Sequence, residues 1–557
     1  MGEAHRVVGL GQYGQVGLGR LTMLAGAEQL AADRALRSQH QVDTSTGVWA
    51  RVRELAAADP HRVAVTAGAE TTTYQQLCRR VHQIQATLLS QQCGPGDRIG
   101  VVGPRSADTI AVFLAIESLG AAYLPVDVDW PVVRVVGMLQ HAQPRCLILN
   151  DIDQSRPNPV IHAAKDHVAV IPIPASGPES ASPLTPRVAP NDEPRYVIHT
   201  SGTTGRPKGV VVNQQGLMNH LWSMVATLRL TASDTVAFTA SPTYVISMWQ
   251  MLAVLLVGGS VAVIADSDMR FARHLMAKAA STEITVMELV PTVIGWIIHD
   301  VNHRKSVPVL PSLRCLISTG EKLDPGLAAS VLCTLPHVEL FNAYGSTECS
   351  DDVSLHLVTS SDVTASQLPA GVPIPNVVLY LLVNESGVWR AAEPGEIGEL
   401  WVGGLAVSAG YLNDPEFTRD AFFVDEFDRD SCTGRLYRTG DIATFNNGLV
   451  YCLGRADRQV KVAGVRIELD EVEAVISRIP GVMQCAVVAE RHGSKVQLAV
   501  YYVAESDFTQ EDIFMRLRSF LPSAMLPHKW IRVENMPLNT NGKVDYTALL
   551  QSDIKAE

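Results

Sequence analysis

The sequence lacks a basic surplus, a paired-cysteine motif and any long apolar run. Its 45 Lys and Arg stand against 57 Asp and Glu, a net charge of −12. Without excess positive charge it has little to offer a phosphate backbone or an anionic bilayer, so neither nucleic acid nor a membrane is expected as main partner. No apolar stretch reaches the roughly 18 residues of a membrane-crossing helix. The N-terminus carries no basic start, apolar stretch and small-residue cleavage site of a secretory signal. Nine cysteines are scattered with no Cys-x-x-Cys spacing, which argues against structural zinc or a disulfide framework and for a reducing, cytoplasmic compartment. The composition, 47% hydrophobic and 18% charged, supplies a sizeable core, and 557 residues allow about three or four compact units.

Residues 1–45 form an N-terminal extension of unknown role. Gly9, Gly11 and Gly14, with Asp33 further on, match the dinucleotide fingerprint formally. Too little strand precedes the first glycine and no second βαβ unit follows, so a Gly-rich, loosely ordered extension is expected instead. From about residue 46 apolar strand-like runs (98–102, 146–149, 168–173) alternate with helical stretches such as 107–119, the pattern of stacked α/β layers. Residues 153–193 hold eight prolines and read mostly as irregular connecting chain. Strand-like pieces recur at 235–238, 260–264, 313–318 and 399–402. A last block has its own order: helix 467–479 ending at Pro480, strands 486–490 and 497–503, and helix 511–520.

The strongest chemical signal is the run Tyr196-Val-Ile-His-Thr-Ser-Gly-Thr-Thr-Gly-Arg-Pro-Lys-Gly-Val210. An apolar strand enters a loop in which glycines permit close backbone approach to an anion, hydroxyls donate to its oxygens and Lys208 adds charge. Lys208 precedes Gly209 rather than Ser or Thr, so it is not a Walker A loop. The loop resembles the phosphate-binding signature of the acyl-adenylate-forming superfamily, which includes acyl-CoA synthetases, firefly luciferase and nonribosomal peptide synthetase adenylation domains. Six further motifs follow the family's order: Thr73–Leu77, Gly120–Asp127, Asn342–Glu348, Tyr437–Asp441, Gly454–Lys461 and Asn541–Asp545.

The resemblance spans about residues 46–550. It implies a large core domain of layered α/β subdomains (46–456) and a small mobile α+β lid domain (457–557) hinged at Asp457. It also implies ATP and Mg²⁺ as cofactors. Thr200, Ser201, Gly202, Thr203, Thr204 and Lys208 would cradle the phosphates, with Thr203 counted as catalytic. Glu348 would hold Mg²⁺, a hard cation suited to carboxylate and phosphate oxygens. Asn342, Ala343, Tyr344, Gly345 and Thr347 would line the adenine side, with Tyr344 offering its face to the base. Asp441 would clamp the ribose hydroxyls, Arg455 would lie near ribose or phosphate, and Lys543 would bridge the attacking carboxylate and the α-phosphate as charge develops. A second half-reaction follows in the family, in which the lid swings about the hinge and a thiol attacks the acyl-adenylate.

Extending the resemblance to the substrate pocket gives Val245, Ile246, Trp249, Glu288, Ile317, Thr319, Ala343, Asp351 and Asp352, with Lys543. Peptide-synthetase members usually carry Asp where this chain has Val245, and that Asp pairs with the α-ammonium. Burying an ammonium without its partner costs several kcal/mol, so an ordinary α-amino acid is disfavoured. Three acids, Glu288, Asp351 and Asp352, instead expect a cationic guest, which fits a β-amino acid and above all a basic one such as β-lysine. A keto, hydroxy or aryl acid explains Val245 but leaves the three acids without a task; alternatively one or two of them pair with protein cations. The sequence stops at Glu557 without a Leu-Gly-Gly-x-Ser site, and no condensation domain precedes, so a stand-alone enzyme loading a separate carrier protein is expected, with an MbtH-like protein as a conceivable helper. The alternatives are an acyl- or aryl-CoA ligase and a non-catalytic binding protein; retention of Lys543, Glu348 and Asp441 speaks against the latter.

Overall fold

The computed structural model describes residues 18–23, 27–150, 158–175, 187–201, 207–303, 310–427, 433–492, 495–504, 510–533, 535–537 and 544–551. Three sheets build the large part of the molecule. The first has seven strands, with Arg98–Val102, Ala122–Val126, Cys146–Leu149 and Pro194–Thr200 parallel at its centre. The second has nine, again parallel at its centre through Thr235–Phe238, Val286–Leu289, Cys315–Ser318 and Glu339–Ser346. Helix Ala107–Ser118 is buried on almost every side. An apolar helix without a polar face must lie between layers, and its residues join one core cluster with strands of both sheets. Its Glu117 also serves another helix. Val48–Ala58 starts at Gly47, which has no capping side chain, and Glu117 accepts from the backbone N–H groups of Val48 (3.0 Å) and Trp49 (2.7 Å).

The third sheet is antiparallel, with Val377–Glu385, Ile397–Gly404 and Arg435–Asn446 side by side. Here the expectation for the N-terminal extension is corrected over its described part. Leu36–Arg37 pairs with Leu379 and Val378, and Gly19 and Thr22 exchange backbone hydrogen bonds with 422–424 and Trp389. Helix Ala27–Arg34 lies on this sheet, with Ala31 in a cluster that includes Tyr380, Trp389 and Trp401. An apolar face that would otherwise meet water orders the segment. The fingerprint glycines Gly9, Gly11 and Gly14 lie outside the described residues.

The C-terminal part has its own core around Ile467, Val472, Ile476, Val487, Leu498 and Val500. It holds a hairpin, Gln459–Val462 with Val465–Glu468, and a sheet of Val482–His492, Lys495–Ala504 and Lys529–Arg532. The helix expected from 467 begins at Leu469, because Ile467 and Glu468 belong to the hairpin. Ala463 (φ 48°) and Gly464 (φ 80°) both take positive φ at the two-residue turn, the combination that matches the twist of the flanking strands. The expectation of irregular chain at 153–193 also needs amendment: Pro159–Ala164 is a helix, capped by the Asn158 side chain.

Candidate active site

Strand Pro194–Thr200 pairs antiparallel with Lys208–Asn213, Thr200 opposite Lys208, so the Gly/Ser/Thr-rich run connects two neighbouring strands. Gly202, Thr203 and Thr204 lie outside the described residues. Ser201 is buried and its Oγ donates to the backbone carbonyl of Arg466 at 2.9 Å. The Lys208 ammonium stands over the rings of Phe417 (4.4 Å) and Tyr411 (5.4 Å). Burial lowers its pKa while Glu468 and Glu348 oppose that, and the aromatic floor keeps the charge beside the loop.

Strand Glu339–Ser346 carries the next residues. Asn342 is spent on structure, its Nδ2 donating to Pro369 O at 2.7 Å. Gly345 has no room for a side chain, since a Cβ would lie 2.1 Å from the carbonyl oxygen of Asp351. Glu348 follows in the short turn Thr347–Cys349. Its Oε1 accepts from the Tyr411 hydroxyl at 3.0 Å and its Oε2 from Arg466 Nη1 at 2.8 Å. Burial opposes its charge, but Arg466 and the hydroxyl outweigh burial and hold the carboxyl below its ordinary range.

Asp441 and Arg455 are register partners on adjacent strands, and Arg455 Nη1 reaches Asp441 Oδ1 at 3.0 Å. The other Asp441 oxygen accepts from the Tyr344 hydroxyl at 2.5 Å. Arg455 also grips Asp457 through Nε (2.6 Å) and Nη2 (2.7 Å), a two-pronged clasp on the expected hinge. Burial opposes ionisation of Asp457, and Arg455 reverses that, leaving its pKa lowered. Lys543 lies outside the described residues. Its neighbour Val544 packs against the small sheet with Ala486, Tyr501 and Ile531.

The acid pocket lies at the carboxyl ends of the parallel strands, where open α/β sheets bind ligands. Glu288 and Ile317 are register partners, and Thr319 and Ala343 follow two residues beyond Ile317 and Phe341, a second register pair. Val245 precedes helix Ile246–Leu252, from which fully buried Trp249 donates Nε1–H to Glu288 Oε2 at 2.6 Å. Thr319 Oγ1 donates to Asp352 Oδ1 at 3.1 Å. Glu288 Oε1 and Asp352 Oδ2 are buried with no hydrogen-bond partner among the described residues. Burial, then the charge of Asp352, pushes Glu288 well above its ordinary pKa; burial and the charge of Asp351 push Asp352 up to about 7.

The third acid is different. Asp351 faces His220 Nε2 at 3.4 Å, both side chains buried. Burial works against a charged imidazole, yet Asp351 and Asp352 outweigh it and raise the His220 pKa. Asp351 also sits at φ 122°, strained for a residue with a side chain. Of the three acids expected to await a cation, one already faces a protein imidazole.

Three contributors escape motif reading. His220 sits in the largely apolar helix Gln214–Thr227, and Tyr411 in a two-residue strand. Arg466 alone carried a usable signal: Gln459–Glu468 alternates around a Gly turn, and a hairpin there would have aimed every second residue at one face.

Residues 52–412 match the model of the AMP-binding enzyme family, and residues 471–543 that of the AMP-binding enzyme C-terminal domain. The chain belongs to the AMP-binding enzyme family. As a member of this acyl-adenylate-forming group it is an AMP-forming ligase. Zwittermicin A synthase ZmaJ of Bacillus cereus is 29% identical over 518 residues, covering 91% of this chain and 96% of that protein. Tyrocidine synthase 3 of Brevibacillus parabrevis is 31% identical over 511 residues, 91% of this chain; the chain spans only 8% of its length. The solved structure of holo-PA1221, a nonribosomal peptide synthetase protein containing adenylation and PCP domains, superposes with a TM-score of 0.79 at 27% identity, covering 91% of this chain and 85% of that one. The large N-terminal and small C-terminal parts of this family member thus follow the adenylation-domain fold. Among its described residues no helix is long and apolar enough to cross a membrane.

Proposed function

We propose that the protein activates a diamino or otherwise basic non-standard amino acid as its acyl-adenylate and passes it to the phosphopantetheine thiol of a carrier protein. The observation that carries the substrate reading is the pair of buried carboxylates Glu288 and Asp352; all three acids keep an oxygen without a hydrogen bond among the described residues, but only that of Asp351 has an imidazole opposite it, at 3.4 Å. A buried acid without a partner is costly, and two amines on one guest would satisfy both at once. The His220–Asp351 contact removes the third acid from the count. Val245, apolar and buried where the peptide-synthetase motif that this segment resembles has an aspartate, favours an amine set away from the α-carbon, as in β-lysine.

ATP is the co-substrate on this reading. Asp441 takes the ribose hydroxyls, Tyr344 the adenine, and Ser201, Thr203 and Lys208 the phosphates. A single buried, ionised Glu348, with no group of three metal-binding side chains among the described residues, fits a Mg²⁺ whose other ligands are phosphate oxygens and water. Such an ion neutralises the phosphate charge. Lys543 stabilises the charge that develops as the substrate carboxylate attacks the α-phosphate and pyrophosphate leaves. The hairpin at 459–468 faces Ser201 and Glu348 here, and on this reading the small domain turns about Asp457 between the two half-reactions.

ATP–pyrophosphate exchange against β-lysine, β-alanine, lysine, ornithine, diaminobutyrate, 2-ketoisocaproate and salicylate tests the reading. Exchange is expected with the basic β-amino acid above the rest, and preference for a neutral keto or aryl acid overturns the assignment of Glu288 and Asp352. Transfer to a holo-carrier protein rather than to free coenzyme A tests the acceptor.

A further inference from the structure

Arg466 engages two groups assigned to the nucleotide. Its guanidinium donates to Glu348 Oε2 at 2.8 Å, and its backbone carbonyl accepts from Ser201 Oγ at 2.9 Å. Gln459 Oε1 accepts from its Nε at 2.9 Å and fixes the plane of the guanidinium. The tip of the same hairpin is clasped to the large domain, Gly464 N–H donating to Glu321 Oε1 at 2.9 Å. A Cβ at Gly464 would come within 2.6 Å of Val290, so the tip lies directly against its neighbour.

Resting on the adenylation reading, we propose that Arg466 and Mg²⁺ hold Glu348 in turn, so that Arg466 is the positioning residue through which the small domain senses whether the metal-nucleotide is present. Glu348 is almost fully buried, and no group of three metal-binding side chains is placed to share a cation there among the described residues. One buried carboxylate accommodates one cation, and a guanidinium and a divalent ion within contact of it repel each other strongly at low dielectric. With Mg·ATP bound, the hairpin withdraws and the small domain is free to bring Lys543 in. Once magnesium and pyrophosphate leave, Glu348 would be a buried charge with the Tyr411 hydroxyl but no cation against it, and Arg466 returns to it. The contact that neutralises the site thereby draws the small domain back into the arrangement described here.

Calorimetric titration of Mg·ATP and of ATP in EDTA into the full chain, with hydrogen exchange of the hairpin amides, tests this without turnover. Mg·ATP is expected to strip protection from 459–468 in the wild type. Arg466→Ala should leave the hairpin weakly protected from the outset and tighten Mg·ATP binding about five- to tenfold, with metal-free ATP changed far less. Arg466→Lys, which keeps the charge, should lie near the wild type. Glu321→Gln loosens the same domain contact without touching Glu348, and should shift both forms of ATP by the same factor. Unchanged hairpin protection on Mg·ATP, or an Arg466→Ala affinity equal to wild type, overturns the exchange at Glu348. Absence of Mg·ATP binding in every variant overturns the adenylation reading with it.

Discussion

The two ends of the candidate site treat carboxylates in opposite ways. At the nucleotide end Glu348 and Asp457 lie below their ordinary pKa because Arg466 and Arg455 stand against them. In the acid pocket Glu288 and Asp352 are raised, because burial and the neighbouring carboxylates outweigh what His220 and Lys461 do for Asp352. One end is ionised and satisfied by the protein's own arginines, so its ligand must displace something. The other is short of positive charge, so its ligand must bring it. Charge supplied internally can couple a site to a domain movement; charge left wanting can select a guest.

The most severe break is expected at the residue assigned to the chemical step itself. Lys543→Ala should lower pyrophosphate exchange by about 10²- to 10³-fold while leaving ATP binding nearly intact, and retained turnover would refute its role. Next, Asp352→Asn should raise KM for the basic substrate by about 100-fold and leave KM for ATP within a factor of two or so, as expected for a lost buried charge partner. Equal effects on both substrates mean that Asp352 does not read the amine.

The contrast is also sharpened by pH. Asp352 titrates at about 7, far above the 3.8 of an unperturbed aspartate, so the guest meets an ionised partner only above that point. Affinity for the basic substrate should fall up to tenfold per unit below pH 7, with no matching fall for ATP. The same raised pKa makes the empty protein lose stability as pH climbs from the unfolded value of 3.8 through about 7. Asp352→Asn should flatten that part of a thermal-melting profile, and a parallel profile would remove Asp352 as its source. The smallest effect is expected at Arg455. Its loss leaves Asp441 without a cation but with the Tyr344 hydroxyl, so KM for ATP should rise only several-fold in Arg455→Ala, about 1 kcal/mol. An unaltered KM would show that Arg455 serves only the Asp457 clasp.

Much of this was legible in the sequence because it resides in local runs. The strands at 98–102, 146–149 and 235–238 are near-continuous apolar stretches, and the loop after Thr200 advertises its chemistry by composition alone. What escaped depends on partners remote in sequence. Nothing around His220 announces Asp351, and Arg466 gains its meaning only when the hairpin lies against Glu348. The helix at 159–164 was hidden by counting prolines as breakers; Asn158-Pro159 is a start signal, since a proline at the first helical position gives up no intrahelical bond. The placement of residues 18–23 and 27–37 comes from an apolar sheet face over 300 residues away, and no local pattern could reveal it.

That N-terminal seat has a consequence for how the chain is made. Leu36 pairs with Leu379, 343 positions later (379 − 36). At ~5–20 residues per second, its partner strand is synthesised roughly 20 to 70 seconds after it. Throughout that interval Leu21, Met23 and Ala31 have no sheet to cover, and Trp389 and Trp401 do not yet exist. Residues 18–23 and 27–37 are therefore obliged to wait for most of the large domain before they can take their seat on this sheet.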